Sequence, residues 1–179
     1  MASHPVVTIR FANVEDAERI ARVHIAAWRA AYTGIMSDQQ LAGLDHELLM
    51  RRWHHDLATG FADGAVLVAQ SPQGTICGVA SGGSPRDEVE SGTLELWMLN
   101  CHPSSWGRGV GTMLLAELER QLADRGALDA YLWVAARNSR ARHFYAREGW
   151  CDTGATRLEE RFDPAITEVR YAKRVGVSS

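Results

Sequence analysis

The sequence has few cysteines and no long apolar run, and each absence argues against a class of protein. Its three cysteines, Cys77, Cys101 and Cys151, are odd in number and far apart, unlike a disulfide framework or a zinc site. No apolar stretch approaches the roughly 20 residues that span a bilayer. The N-terminal MASHPVVTIRF lacks the features of a signal peptide. We therefore expect a cytoplasmic protein without a metal and without a membrane partner.

Positive charge is not in excess either. The chain has 19 Lys and Arg against 22 Asp and Glu, a formal net charge of −3, whereas a nucleic-acid binder presents a broad basic face. The composition therefore predicts no nucleic-acid partner. With 179 residues, 46% of them hydrophobic, the chain is expected to form one domain over residues 1–179, with an ordered core at about 6–174.

Hydrophobic periodicity predicts strands that alternate with helices. Period-two alternation between turn residues predicts strands at 6–11, 65–70, 75–83, 93–103, 129–136, 150–157 and 167–174. Helical spacing predicts helices from Asn13 to about Tyr32, after Ser37, after Asp45, from about 110 to 125 and from about Ser139 to Glu148. This pattern indicates an α/β fold, a mixed central sheet with helices on both faces.

The stretch SSWGRGVGTMLL carries three glycines, Gly107, Gly109 and Gly111, between a predicted strand and a predicted helix. The first N–H groups of a helix have no intrahelical partner, and the helix dipole adds positive charge there, so a side-chain-free turn suits a phosphate. Arg108 adds charge at the rim. The glycines alone leave open a purely structural turn. No lysine follows Gly111, which argues against a Walker loop.

Two motifs in this half of the chain resemble the GCN5-related N-acetyltransferase (GNAT) superfamily. The family motif Gln/Arg-x-x-Gly-x-Gly/Ala after a strand is similar to residues 106–111 in LELWMLNCHPSSWGRGVGTMLL. In ARNSRARHFYAREGW, Asn138 precedes a helix, Tyr145 follows seven residues later and Gly149 begins a Gly-aromatic end, as in the family. The chain departs from the motif at Trp106, where the family has Gln or Arg, and this predicts weaker cofactor binding.

The resemblance implies an enzyme that moves an acetyl group from acetyl-CoA directly to a primary amine of a small molecule. It implies that acetyl-CoA lies in a V-shaped opening between the strand ending at Cys101 and the strand 129–136, with its pyrophosphate on the glycine turn. The cofactor-binding residues that it implies are Leu99, Asn100, Cys101, Trp106, Gly107, Arg108, Gly109, Val110, Gly111, Thr112, Asn138 and Tyr145.

The resemblance also implies catalytic roles. Tyr145 matches the family's usual general acid, and its alternative is a core neighbour of Phe144. Glu95 lies where some members place a carboxylate base; beside Trp97 it suits base work, and its alternatives are an exposed edge charge, or a water chain as the base. Cys101 has no evident activating base, so it is interpreted as a small core residue rather than a nucleophile.

The predicted helices after the first strand form the acceptor pocket in this family. Trp28 and Tyr32 are the candidate substrate-binding residues, with Met36 and Trp53 as further walls, although ordinary core packing explains at least half of this set. The acceptor and the acyl-chain length stay open. The alternatives are a protein or peptide N-acetyltransferase, a non-catalytic CoA-binding protein of the same fold, and a nucleotide-binding α/β protein. The resemblance also allows a homodimer.

Overall fold

The computed structural model describes residues 7–61 and 64–176; Val6, the predicted start of the first strand, lies outside them. The strands are β1 (Thr8–Phe11), β2 (Ala65–Gln70), β3 (Ile76–Gly83), β4 (Thr93–Cys101), β5 (Asp129–Ala135), β6 (Cys151–Glu159) and β7 (Ile166–Arg174). The helices are α1 (Ala17–Ala31), α2 (Asp38–Ala42), α3 (His46–Thr59), α4 (Val110–Asp124) and α5 (Ser139–Arg147).

The strands form one mixed sheet in the order β1-β2-β3-β4-β5-β7-β6. Neighbouring strands run antiparallel except β4 and β5, which are parallel. Helices α1 and α3 cover one face around Ile20 and Trp53, and α4 and α5 cover the other around Leu114, Leu118 and Tyr145. The predicted fold class, a mixed sheet between two helical layers, is confirmed.

The parallel pair is short, and this shapes the centre of the molecule. β4 pairs with β5 only from Thr93 to Glu95, opposite Asp129 to Tyr131. Across β4 on its other side, Ser81 pairs with Met98 and Gly82 with Leu96, so Trp97 is the extra residue of a β-bulge. Beyond that bulge β4 and β5 diverge, and within residues 7–61 and 64–176 the last part of β4 has no strand partner on the β5 side.

The start of α1 is held by a buried carboxylate. Asp16 is fully buried, accepts the backbone N–H of Asn13 at 2.9 Å, and pairs with Arg10 of β1 and Arg19 of α1. The predicted helix start at Asn13 is therefore confirmed, with one 3₁₀ turn, Val14–Asp16, before the α-helix. The ion pair therefore links β1 to the start of α1, the helix that carries Trp28 and Tyr32.

Two further findings concern the described part of the chain. No helix within residues 7–61 and 64–176 has the length and apolar character needed to cross a bilayer. Over the same residues, no group of three or more His, Cys, Asp or Glu side chains is arranged to hold a metal ion.

His24 gives this packing a dependence on pH. Its ring lies 5.0 Å from that of Trp28 and 6.4 Å from that of Trp53, where α1 meets α3, and its buried Nδ1 has no hydrogen-bond partner among the described residues. Burial, assisted by the charge of Arg52, lowers the pKa of His24 from 6.5 to about 4. The folded protein therefore keeps His24 neutral where the unfolded chain already protonates it.

We expect His24→Gln to make stability less sensitive to acid. Below pH 6.5 His24 becomes protonated in the unfolded chain, whereas in the folded protein it stays neutral down to about pH 4. The folded state is therefore fully stable in this respect above pH 6.5 and loses free energy of unfolding as the pH falls from 6.5 to 4. At 1.36 kcal/mol per pH unit this loss is about 3 kcal/mol. Urea unfolding at pH 7 and pH 4.5 measures it. Exposed His55, as His55→Gln, is the matched control; equal pH dependence in both variants contradicts the assignment.

Candidate functional site

A cavity of about 1370 Å³ opens where β4 and β5 diverge. This volume exceeds the roughly 300–1,000 Å³ of ordinary ligand pockets, so the cavity has room for two reactants side by side. Its glycine half is formed by the end of β4, the 106–112 turn and residues 138–147. Its aromatic half is formed by α1, α3, the 84–92 loop, the middle of β4 and the connection between β6 and β7.

The three positions of the turn require glycine for different physical reasons. Gly107 and Gly109 have φ of +70° and +81°, a left-handed conformation that other residues adopt at a cost. Gly111 has no such conformation; a Cβ there would lie 3.4 Å from the Phe144 ring, so glycine allows α4 to approach α5. Gly109 is the N-cap of α4, and the side-chain-free turn lies on the cavity wall. Helix N–H groups without intrahelical partners are therefore accessible from the cavity.

Trp106 shows how the chain departs from the motif. Its indole N–H donates to the carbonyl of Cys101 at 2.9 Å, so the ring folds back on the end of β4. The guanidinium of Arg140, from the first turn of α5, lies over this ring with Cζ 3.6 Å from its centroid. Both side chains line the cavity. At the position where the family motif has Gln or Arg, this chain has Trp106, and the guanidinium stacked on its ring places a positive charge beside the turn.

The structure brings most of the predicted site residues to this cavity. Those on its wall are Trp28, Tyr32, Leu99, Asn100, Cys101, Trp106, Gly107, Gly109, Gly111, Thr112, Asn138 and Tyr145. Two residues predicted to bind the cofactor are not on it: Arg108 is exposed outside the cavity, and Val110 is buried in the core beneath α4. Asn138 caps α5 by accepting the N–H of Ala141 at 3.1 Å. This bond explains why an asparagine precedes the helix.

Asn100 and Cys101 lie at the end of β4, which pairs there with β3 and no longer with β5, and their side chains have different surroundings. The buried Nδ2 of Asn100 has no hydrogen-bond partner among the described residues, so a ligand in the glycine half has a donor to satisfy. The thiol of Cys101 is in the core cluster, and burial raises its pKa to about 12. The thiol therefore stays protonated at neutral pH, as expected for a core residue.

Tyr145 is a buried phenol on the cavity wall. Its ring contacts those of Phe144, Trp150 and Tyr171, and the residue is 6% exposed. Burial raises the pKa of its hydroxyl well above the usual value of 10, and the neighbouring Tyr32 and Cys101 add to the effect. The hydroxyl therefore carries its proton at neutral pH, as a proton donor must.

The surroundings of Glu95 match neither of the roles expected for it, a base in the site or an exposed charge at a sheet edge. It is fully buried rather than an exposed edge charge, and it is not on the cavity wall. Its carboxylate accepts the backbone N–H of Arg86 at 2.9 Å, the Arg86 guanidinium and the Tyr131 hydroxyl at 3.1 Å. Because these three donor groups already occupy the carboxylate and it does not reach the cavity, this geometry does not favour Glu95 as the base.

Aromatic rings form two walls of the aromatic half. Trp28 stacks on Tyr32 with ring centroids 5.1 Å apart, and Phe162 lies 5.8 Å from Trp28. Phe61 and Trp97, 5.6 Å apart, form a second pair. Met36, grouped with these residues in the sequence, is instead buried in the core and does not reach the cavity.

Sequence reasoning missed several charged residues of the wall: Arg86, Arg140, Arg161 and Glu168. A signal existed for Arg140, which lies two residues after Asn138 within the recognised motif. Arg86 lies in SPRDEVESG, whose composition is that of a solvated loop, and no periodicity links that loop to Glu95. Arg161 and Glu168 lie in the last hairpin, whose position beside the cavity depends on the sheet order.

Comparisons with known proteins agree with this geometry. The model of the acetyltransferase (GNAT) family matches residues 24–150. The chain is 32% identical over 133 residues to the uncharacterized N-acetyltransferase YuaI of Bacillus subtilis (strain 168), which covers 74% of each protein.

Two solved structures share the fold. The PaiA N-acetyltransferase from Thermoplasma acidophilum, in complex with coenzyme A, superposes with a TM-score of 0.75 at 21% identity, covering 94% of this chain and 99% of that one. YncA, a putative acetyltransferase from Salmonella typhimurium with its cofactor acetyl-CoA, gives 0.69 at 22% identity, covering 97% and 96%. At these identities the likeness shows the fold.

Proposed function

The chain belongs to the acetyltransferase (GNAT) family, and from this premise we propose that it acetylates the primary amine of a small molecule. It is an N-acetyltransferase that uses acetyl-CoA as the acetyl donor. The observation that carries the proposal is the cavity, which runs from the end of β4 that has separated from β5 and from the glycine turn into the ring-lined half. Aromatic walls from separate parts of the chain favour a compact acceptor over a protein segment. We further propose that residues 1–179 act as one domain.

The residues of the glycine half fit the donor. On the edge of β4 that no longer pairs with β5, the backbone from Leu99 to Cys101 offers strand-like hydrogen bonds to the pantetheine amides, apart from the Cys101 carbonyl, which accepts from Trp106. The N-terminus of α4 offers N–H groups to the pyrophosphate. Arg140 on Trp106 adds the positive charge that the motif otherwise supplies. When bound, acetyl-CoA supplies the thioester carbonyl that an amine attacks. Buried Cys101 supports transfer without an acyl-enzyme, because its thiol stays protonated.

The acceptor must lose a proton before it attacks. An alkyl ammonium with a pKa of about 10.4 costs roughly 4 kcal/mol to deprotonate at pH 7.4. Glu95 is engaged with Arg86, whereas Glu168 is on the cavity wall and uses Oε2 to accept from Arg157 at 2.7 Å. Oε1 of Glu168 has no hydrogen-bond partner among the described residues. We therefore place the proton's exit on cavity water, with Glu168 as a candidate carboxylate to receive it.

The first test is binding. Acetyl-CoA and CoA, titrated separately into the purified protein, are each expected to raise its melting temperature, since a ligand at about 100 times its Kd adds about 2.7 kcal/mol of stability. ATP and NAD are expected to have no effect. Thiol release with a panel of amines then identifies acceptors. A shift with ATP or NAD and none with CoA contradicts the proposal, and CoA binding without any acetylated amine supports the non-catalytic alternative.

Gly109 and Gly126 provide a matched pair for the turn. Both have positive φ, +81° and +88°, and open space around an added Cβ, so both alanine variants carry a similar backbone cost. Gly109→Ala is expected to weaken CoA binding by about tenfold, because it changes the helix start at which the pyrophosphate binds. Gly126→Ala, at the far end of α4, is expected to leave the Kd for CoA unchanged.

We expect Trp106 and Arg140 to act on CoA as a unit. Trp106→Ala removes the ring that holds the guanidinium, and Arg140→Ala removes the charge, so each is expected to raise the Kd for CoA about five- to twentyfold, as for a partly desolvated cation–π pair. The double variant is expected to lose little more than either single variant. Calorimetric titration of all four proteins measures this coupling. Strictly additive losses show that the two residues act independently.

Tyr145→Phe is expected to lower kcat by about 10²-fold or more with little change in the Kd for CoA, since only the proton for the departing thiolate is lost. Tyr171→Phe is the control: Tyr171 is also a buried phenol in ring contact with Tyr145, but its hydroxyl accepts from Arg142 and it is not on the cavity wall. Its kcat is expected to stay unchanged. Full activity of Tyr145→Phe removes the acid role.

A further inference from the structure

We propose that the acceptor amine carries a carboxylate and that Arg86, held by buried Glu95, binds it in the aromatic half of the cavity. The inference rests on the proposed acetyl transfer and names the class of its acceptor, an amino-acid-like molecule. It also gives Glu95 a positioning role in place of proton transfer.

The position of Arg86 is fixed by its hydrogen bonds to the buried carboxylate of Glu95. Glu95 is fully buried on β4, where an unpaired carboxylate is very costly. It accepts the backbone N–H of Arg86 at 2.9 Å and the Nε–H at 3.0 Å, and it also pairs with Nη2. Backbone and side chain of one loop residue are thus bonded to one carboxylate. The Tyr131 hydroxyl donates to the same group at 3.1 Å.

This arrangement leaves half of the guanidinium available. A guanidinium has five N–H groups in a planar fork, and the edge formed by Nε and Nη2 faces Glu95. The Nη1 amino group has no hydrogen-bond partner among the described residues. The Arg86 side chain is 53% exposed and lies on the cavity wall. The remaining edge, Nη1 with the second proton of Nη2, has the geometry that binds a carboxylate with two hydrogen bonds.

A second arginine on the cavity wall, Arg161, comes from a different part of the chain. The hydrogen bonds that Arg86 donates to Glu95 raise the pKa of Arg86, whereas burial and the nearby positive charge of Arg161 lower it, so the two cations repel each other. Arg161, between β6 and β7, pairs with Glu159 at 2.7 Å and also lines the cavity. Like charges from separate elements on one cavity are relieved by an anion between them.

The carboxylates on the wall are already used within the chain. Asp45 accepts the N–H of Leu48 at 2.9 Å as the cap of α3, and Glu168 pairs with Arg157 at 2.7 Å. Asp56 lies 4.0 Å from Arg52. These acids balance their own partners, so the aromatic half offers no excess of negative charge to a polycation. An amine that brings its own carboxylate suits it better.

Matched acceptors test the inference directly. L-methionine, L-phenylalanine, L-glutamate, β-alanine and 4-aminobutyrate are each compared with the corresponding primary amide, at saturating acetyl-CoA, by thiol release. Removing the carboxylate charge lowers the pKa of the neighbouring ammonium, so intrinsic reactivity favours the amide. We nevertheless expect kcat/KM for at least one acid to exceed that of its amide by about tenfold or more, as for a charge-assisted hydrogen-bonded pair.

The variants separate recognition from folding. Arg86→Gln alone leaves a buried carboxylate unpaired, so it is made together with Glu95→Gln, which keeps a neutral polar pair. This double variant is expected to raise KM for the preferred acid about tenfold or more, with its amide unchanged in kcat/KM. The KM of Arg86→Lys for the preferred acid is expected to lie between the values of the unchanged protein and of the double variant. Arg120→Gln, at an exposed side chain of α4 that is not on the cavity wall, is the control and is expected to keep the full preference.

Each possible result of these experiments either supports or overturns the inference. A preference for acids that disappears in the double variant supports the inference. Amides or simple alkylamines acetylated as well as acids, or a preference that survives in the double variant, overturns it while leaving the N-acetyltransferase proposal intact. If CoA binds and no acceptor of either class is acetylated, the acetyl transfer itself fails and this inference fails with it.

Discussion

The organisation of the site depends on the loss of pairing between β4 and β5 after Glu95. Up to that residue the two parallel strands are bonded; beyond it, the bulge at Trp97 turns β4 aside and leaves its final residues without a strand partner on one edge. Unpaired backbone inside a protein needs a hydrogen-bonding partner. An extended ligand with amide groups is one such partner, so the sheet itself provides a binding edge.

The parts that follow local rules could be predicted from the sequence. Strand and helix segments follow the hydrophobic periodicity, and the helix starts at Asn13 and Ser37 follow from short-range capping chemistry, which the hydrogen bonds confirm. The glycine turn could also be located, since positive φ at Gly107 and Gly109 limits the residue type. In each case the interacting groups lie within a few residues of one another.

The interactions that decide charge in the cavity lie beyond such rules. Arg86 and Glu95 are nine residues apart on a loop and a strand, and nothing in an acidic, solvated sequence indicates that one of its residues turns back to a buried carboxylate. In the sequence, Trp106 removes the polar side chain that the motif has at this position. In the structure, Arg140, 34 positions further along the chain, stacks on the Trp106 ring and brings a positive charge there. The positions of the Glu95, Arg108 and Val110 side chains, two of them buried and one exposed, also depend on tertiary contacts that the motif does not record, so their predicted roles stay predictions.

The two halves of the cavity share one physical design. In the glycine half, Arg140 is held on an indole that is itself bonded to the end of β4; in the aromatic half, Arg86 is held on a carboxylate near the point where β4 leaves β5. Each cation is thus ordered before any ligand arrives, so binding an anion costs less side-chain entropy than it would with free arginines. The strand that separates from β5 therefore helps to orient a positive group in each half of the cavity, one suited to the phosphates of the donor and one to a carboxylate of the acceptor.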